Sequence, residues 1–183
     1  GTEGIFGDTE GNGIGADIQI LTNETVISGV ILTSSSQGDG KAGEILIHSP
    51  AGVTITDATL NSQTRGAGVG GDIDIRTATF ALSGNGSLNV SAFGAGDAGN
   101  IDIDGGVVTI NDRGALILTA SGSGTGGKLS LSATSLLLTD RAMITGTVSK
   151  EGNGDLLEFK TTDMKLQDRA SITSNTIGSG AGG

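Results

Sequence analysis

The sequence predicts an all-β chain folded as a parallel β-helix, with three short strands per 28-residue coil and about six coils. Three observations predict it. An apolar pattern recurs with the period of one coil, each repeat alternates apolar and polar residues with period two, and glycine clusters separate the repeats.

The first strand of each coil is read from Ile101-Asp102-Ile103. Steps of one coil reach Ile73-Asp74-Ile75 and Ile45-Leu46-Ile47 backward, and Leu129-Ser130-Leu131 and Leu157-Glu158-Phe159 forward. One more backward step, shorter by a single position, gives Ile18-Gln19-Ile20. The second strand follows as Val53/Ile55, Phe80/Leu82, Val108/Ile110, Leu136/Leu138 and Met164/Leu166, with Val26 or Ile27 in the first coil. A weaker third strand is placed at Ile31, Leu60, Leu88/Val90, Leu116/Leu118, Ile144 and Ile172. Six inward residues are therefore expected in the best coil: Ile101, Ile103, Val108, Ile110, Leu116 and Leu118. A lone coil leaves them half covered and its strand hydrogen bonds unmade, so stability requires stacking. At about 4.8 Å between paired strands, six coils make a rod about 30 Å long.

The repeat spans residues 1–183 as one segment, expected to be a fragment or mature piece of a longer repeat protein. Residues 1–14 read as a partial preceding coil and turn, and 178–183 as the start of the next turn between coils. No amphipathic cap is apparent at either end, so the expected partners are further repeats or copies of the chain stacked end to end.

Composition narrows the function classes. With 34 Gly, 1 Pro, no Cys, no Trp and no Tyr, the interior must be aliphatic, and disulfides and thiol chemistry are excluded. A net charge of −10 with scattered basic residues argues against nucleic acid. Membrane insertion is not expected, since no apolar run approaches about 18 residues.

Motifs are weighed against the repeat. Gly94-Ala95-Gly96-Asp97-Ala98-Gly99 has the form of a dinucleotide fingerprint, but Gly38/Gly40/Gly43, Gly66/Gly68/Gly71, Gly122/Gly124/Gly127 and Gly178/Gly180/Gly183 repeat it. A phosphate site needs a helix after the motif, whereas strands follow here, so no cofactor is expected and the glycines are read as turns of positive φ. Calcium at these turns would need a nine-residue period, which the chain lacks. The outward stripe Asp72, Asp74, Asp102 and Asp104 is the one set of carboxylates placed for a divalent cation such as calcium. Lys128, Glu158 and Lys160 extend that stripe with mixed sign, which favours solvated strand faces. Asp112-Arg113, Asp140-Arg141 and Asp168-Arg169 recur one coil apart and are expected to pair between coils and hold register. His48, the sole histidine, is read as a surface turn residue beside Pro50. No catalytic residue is expected.

Ser91-Ala92-Phe93-Gly94-Ala95-Gly96-Asp97-Ala98-Gly99-Asn100-Ile101-Asp102-Ile103 and Leu136-Leu137-Leu138-Thr139-Asp140-Arg141-Ala142-Met143-Ile144 resemble repeats of filamentous haemagglutinin-like exoproteins of two-partner secretion. The closest style is the Gly-rich type of cyanobacteria, and the likeness covers nearly the whole chain. The resemblance implies a right-handed β-helix, export to the cell surface, and roles in adhesion, fibre or matrix building, with a cell-surface or glycan ligand as partner. It implies no catalytic residues. The expected function is a structural or adhesive exoprotein and not an enzyme. The alternatives are a β-helix lyase or hydrolase of acidic glycans, which would need a groove built by long loops, and a surface-binding solenoid, which would need a regular Thr or Asp ladder.

Overall fold

Period-two alternation gives each strand one apolar face, and a chain that coils back at a fixed interval lays those faces over one another. The computed structural model describes residues 3–150, 153–154 and 156–178, and shows a β-solenoid of about six turns without helices among them. Strand β1 (Gly4–Phe6) stands one coil ahead of the first complete coil, which holds β2 (Ile18–Leu21), β3 (Glu24–Ser28) and β4 (Ile31–Thr33). The second coil holds β5 (Ile45–Ser49), β6 (Gly52–Thr56) and β7 (Thr59–Thr64). The next four coils carry two strands each: β8 (Ile73–Ser83) and β9 (Ser87–Ala92), β10 (Ile101–Ile110) and β11 (Ala115–Ala120), β12 (Lys128–Leu138) and β13 (Met143–Lys150), and β14 (Leu156–Leu166) and β15 (Ser171–Gly178).

All pairings are parallel and run between successive coils. Ile18, Ile45, Ile73, Ile101, Leu129 and Leu157 form one vertical column, in the register that the sequence repeat predicts. The six inward residues expected of the best coil are all fully buried.

From the third coil onward the first two apolar segments lie on one hydrogen-bonded strand. The corner between them survives as a change of phase. In β10 the buried residues are Ile101, Ile103 and Gly105, then Val108 and Ile110, so the inward face moves from odd to even positions across Gly106-Val107. The backbone ladder thus continues around a bend that period-two reading treats as a break.

In the first coil the structure decides between Val26 and Ile27 and corrects the placement of Ile31. Ile27 is the inward residue of β3 and Val26 points outward, because the register sets Ile27 on Ile55. Leu32, and not Ile31, faces the core in β4, because it pairs with Leu60. One further position of this column is polar in the early coils: Ser34 and Ser62 stand where later coils have Val90 and Leu118. Ser62 is fully buried and its hydroxyl donates to the Gly43 carbonyl at 2.6 Å, so it offsets its desolvation.

The glycine motif also receives a different explanation. Among the described residues positive φ at glycine occurs at Gly29, Gly84 and Gly178, and the copies at Gly38, Gly66, Gly94 and Gly122 have none. A Cβ on Gly66, Gly68 or Gly71 would instead fall within 3.0 Å of the carbonyl oxygen of Gly38, Gly40 or Gly43 below. The same holds one coil on, for Gly94, Gly96 and Gly99. These residues are glycine because backbone rests on backbone. The copy at Gly178/Gly180/Gly183, like the boundary at 178–183, lies outside the described residues except for Gly178.

Candidate functional site

Two charged faces repeat along the rod. The first is the outward side of the long strands. Asp102 pairs in register with Asp74 below and Ser130 above, and Asp104 with Arg76 and Ser132. Arg76 grips Asp74 on its own strand through two bonds, Nη2 to Oδ2 at 2.8 Å and Nε to Oδ1 at 3.2 Å. These bonds and the charge of Asp74 raise the Arg76 pKa above its ordinary value. Asp102 is pushed above the usual carboxylate value, first by partial desolvation and then by the charge of Asp74. Farther along, Glu158 bridges Lys128 at 2.9 Å and Lys160 at 3.1 Å. Those bonds hold Glu158 below its ordinary value.

The structure sets Asp74 and Asp102 side by side in register but engages the four carboxylates singled out from the sequence in different ways. Asp72 lies before the strand, where its Oδ1 accepts the backbone N–H of Asn100 at 2.7 Å and that residue's side-chain amide at 2.9 Å. Asp74 is engaged by Arg76, and Asp104 lies beside Arg76. Among the described residues no three His, Cys, Asp or Glu side chains are grouped to hold a metal ion.

Asp72 belongs to a set that sequence reading missed. Side-chain oxygens at the turns repeatedly accept a backbone N–H of the following coil: Asp39 from Ala67, Asp57 from Asn85, Asp97 from Thr125 and Asn100 from Lys128. Acceptors of this kind satisfy amides that the turns leave outside the sheets. The signal was present as Asp and Asn at the turns, but partners a full coil apart in sequence are visible only once the coils are stacked.

The second face is the turn Asp112-Arg113, Asp140-Arg141, Asp168-Arg169. Both residues of each pair have positive φ, between 48° and 70°. The following residue donates back across each turn, Gly114 N–H to Asn111 O at 2.8 Å, Ala142 to Thr139 and Ala170 to Gln167 both at 3.0 Å. Two positive φ values closed by this bond define a type I′ turn. The expected pairing of Arg with Asp between coils is not observed. Ion pairs among the described residues are Arg76–Asp74, Lys128–Glu158 and Lys160–Glu158. Backbone bonds hold this register instead, from Arg113 N–H to Asp140 O and from Arg141 N–H to Asp168 O, both at 3.0 Å. The six exposed side chains line an open groove of about 520 Å³.

His48 is exposed near the end of β5, within the strand and not in the turn, facing outward between Leu21 and Arg76. No helix among the described residues is long and apolar enough to cross a membrane.

Fold and surface together define a parallel β-solenoid with repeating charged faces. Comparison with protein-family models, with curated proteins and with solved structures finds no match.

Proposed function

We propose that this chain is part of an extracellular structural or adhesive solenoid, displayed on a cell surface or built into a fibre or matrix. The observation that carries the reading is the uniformity of the coils. Successive first strands keep the same step to within a single position, and the register holds that step through every pairing of the long strands. Coils of equal size make a rod with repeating faces, suited to spacing and lateral contact. The resemblance of its repeats to filamentous haemagglutinin-like exoproteins supports the same reading.

Core residues are open at the outer coils. Met164 and Leu166 are 39 % and 44 % exposed although they stand in register with the buried Leu136 and Leu138. A further coil laid on β14 covers them, whether it comes from a longer chain or from a second copy end to end. Antibodies raised against this segment are expected to label intact cells of the source and filaments or spikes in electron micrographs. Labelling confined to the cell interior sinks the proposal. Glycan cleavage by the purified chain, lost in Asp74→Asn and Asp102→Asn, would replace it with the enzyme reading.

A further inference from the structure

We infer that the Asp-Arg turn face is a self-complementary lateral interface, through which two copies of this rod pair side by side, parallel and in register. Asp112, Asp140 and Asp168 form one column along the rod, and Arg113, Arg141 and Arg169 form the next, with rungs about 4.8 Å apart. Place a two-fold axis parallel to the rod between these columns. Each Asp of one copy then faces an Arg of the other at the same height, giving six ion pairs across the contact. A two-fold axis perpendicular to the rod sets Asp against Asp and Arg against Arg, so the charges choose the parallel arrangement.

Three observations point to a second copy as the occupant. The columns carry three charges of each sign, so this face is locally neutral on a chain of net charge −10 and adds no like-charge repulsion of its own to the contact. None of the six side chains makes an ion pair with another described residue of its own chain. Each column also stacks like charges one rung apart, a repulsion that an opposing column of the other sign relieves.

The contact is electrostatic and exposed, so salt is its first test. The Debye length is about 30 Å at 0.01 M ionic strength and about 3 Å at 1 M. Sedimentation of the whole chain is expected to show dimers at the low value that dissociate at the high one. Two variants sharpen the test. The triple change Arg113→Asp, Arg141→Asp, Arg169→Asp and the triple change Asp112→Arg, Asp140→Arg, Asp168→Arg should each abolish self-association, and mixing them should restore a heterodimer. Circular dichroism checks that both fold; should the second not fold, the salt series and the first variant still decide. A chain monomeric at both salt values overturns the inference. So does association that survives salt and the Arg→Asp changes, which would be the end-to-end contact, and so does salt-sensitive binding of an acidic glycan without dimers. The pairing does not depend on where the rod is displayed, so its failure leaves the surface reading standing.

Discussion

Arg141 has φ 66°, a region in which the Cβ of an L-residue crowds the following carbonyl at a cost of about 1–2 kcal/mol. Asp140 beside it has φ 52°, and the same left-handed conformation recurs at Gly29, Asp57, Gly84, Asp112, Arg113, Asp168 and Arg169. Glycine removes the clash at Arg141 while adding freedom to the unfolded chain, so Arg141→Gly should be at least as stable as the parent. Valine, branched at Cβ, should lose about 1–2 kcal/mol relative to glycine there. Thermal denaturation of the two variants checks this, and equal melting temperatures would mean that the turn is not left-handed in solution. A second residue-scale prediction concerns Asp102, whose folded pKa lies above its unfolded value because its charged form is partly desolvated and faces Asp74. A carboxyl raised in this way costs stability while ionised, and that cost fades as pH falls through the folded pKa. Asp102→Asn should therefore raise the melting temperature at pH 7, with the gain shrinking toward about pH 3, below the ordinary carboxylate range. Glu158 has the opposite sign: its lowered pKa adds stability that is present above its unfolded value and lost on acidification.

At the scale of the element, the stacked glycine loops set how closely successive coils approach. A methyl on Gly96 would meet the Gly68 carbonyl carbon and oxygen, both backbone atoms that can move only with their coil. Gly96→Ala should cost about 1–3 kcal/mol as an overpacked contact. Gly11 is the informative control, because it begins the column of Gly38, Gly66 and Gly94 and a Cβ there meets nothing within 4 Å. Gly11→Ala should not lower the denaturation midpoint, since alanine only reduces the freedom of the unfolded chain there, whereas a similar loss in both variants would show that local backbone conformation, not contact between coils, demands glycine. These loops also mark the limit of what the sequence discloses. Period and register were legible because every coil repeats the same aliphatic spacing, as from Ile73 to Ile101 to Leu129. The physical causes at the turns were legible only in part, since positive φ and close backbone approach both select small or polar residues. Sequence reading assigns the left-handed turn to the glycines and a salt-bridge ladder to Asp-Arg. In the structure Asp-Arg takes the left-handed turn and the glycines take the close approach. The charged groove was likewise hidden, because the repeat shows which residues stack but not which way a turn aims them.

For the whole molecule, the core is one continuous column of aliphatic side chains in which each coil is held by the coil above and the coil below. Stability should therefore depend on position along the rod more than on residue type. Ile103 is fully buried, with Ile75 beneath and Leu131 above. Ile103→Ala opens a void that neighbouring coils on both sides restrain from collapsing, and should cost about 2–5 kcal/mol. Leu166 has Leu138 on one side and is 44 % exposed, so Leu166→Ala should cost less than half as much. The same reasoning orders the amide hydrogens. Those of β10 lie between paired strands on both sides and should exchange slowest, with exchange quickening outward through β12 to β14 and through β8 to β2. Hydrogen exchange on the intact chain, resolved strand by strand, tests both statements at once. A graded profile, steepened on one side by Ile103→Ala, is the outcome expected of coils coupled to their neighbours. Uniform protection, falling everywhere together in that variant, would mean that the rod opens as a single unit and that coupling reaches well beyond adjacent coils.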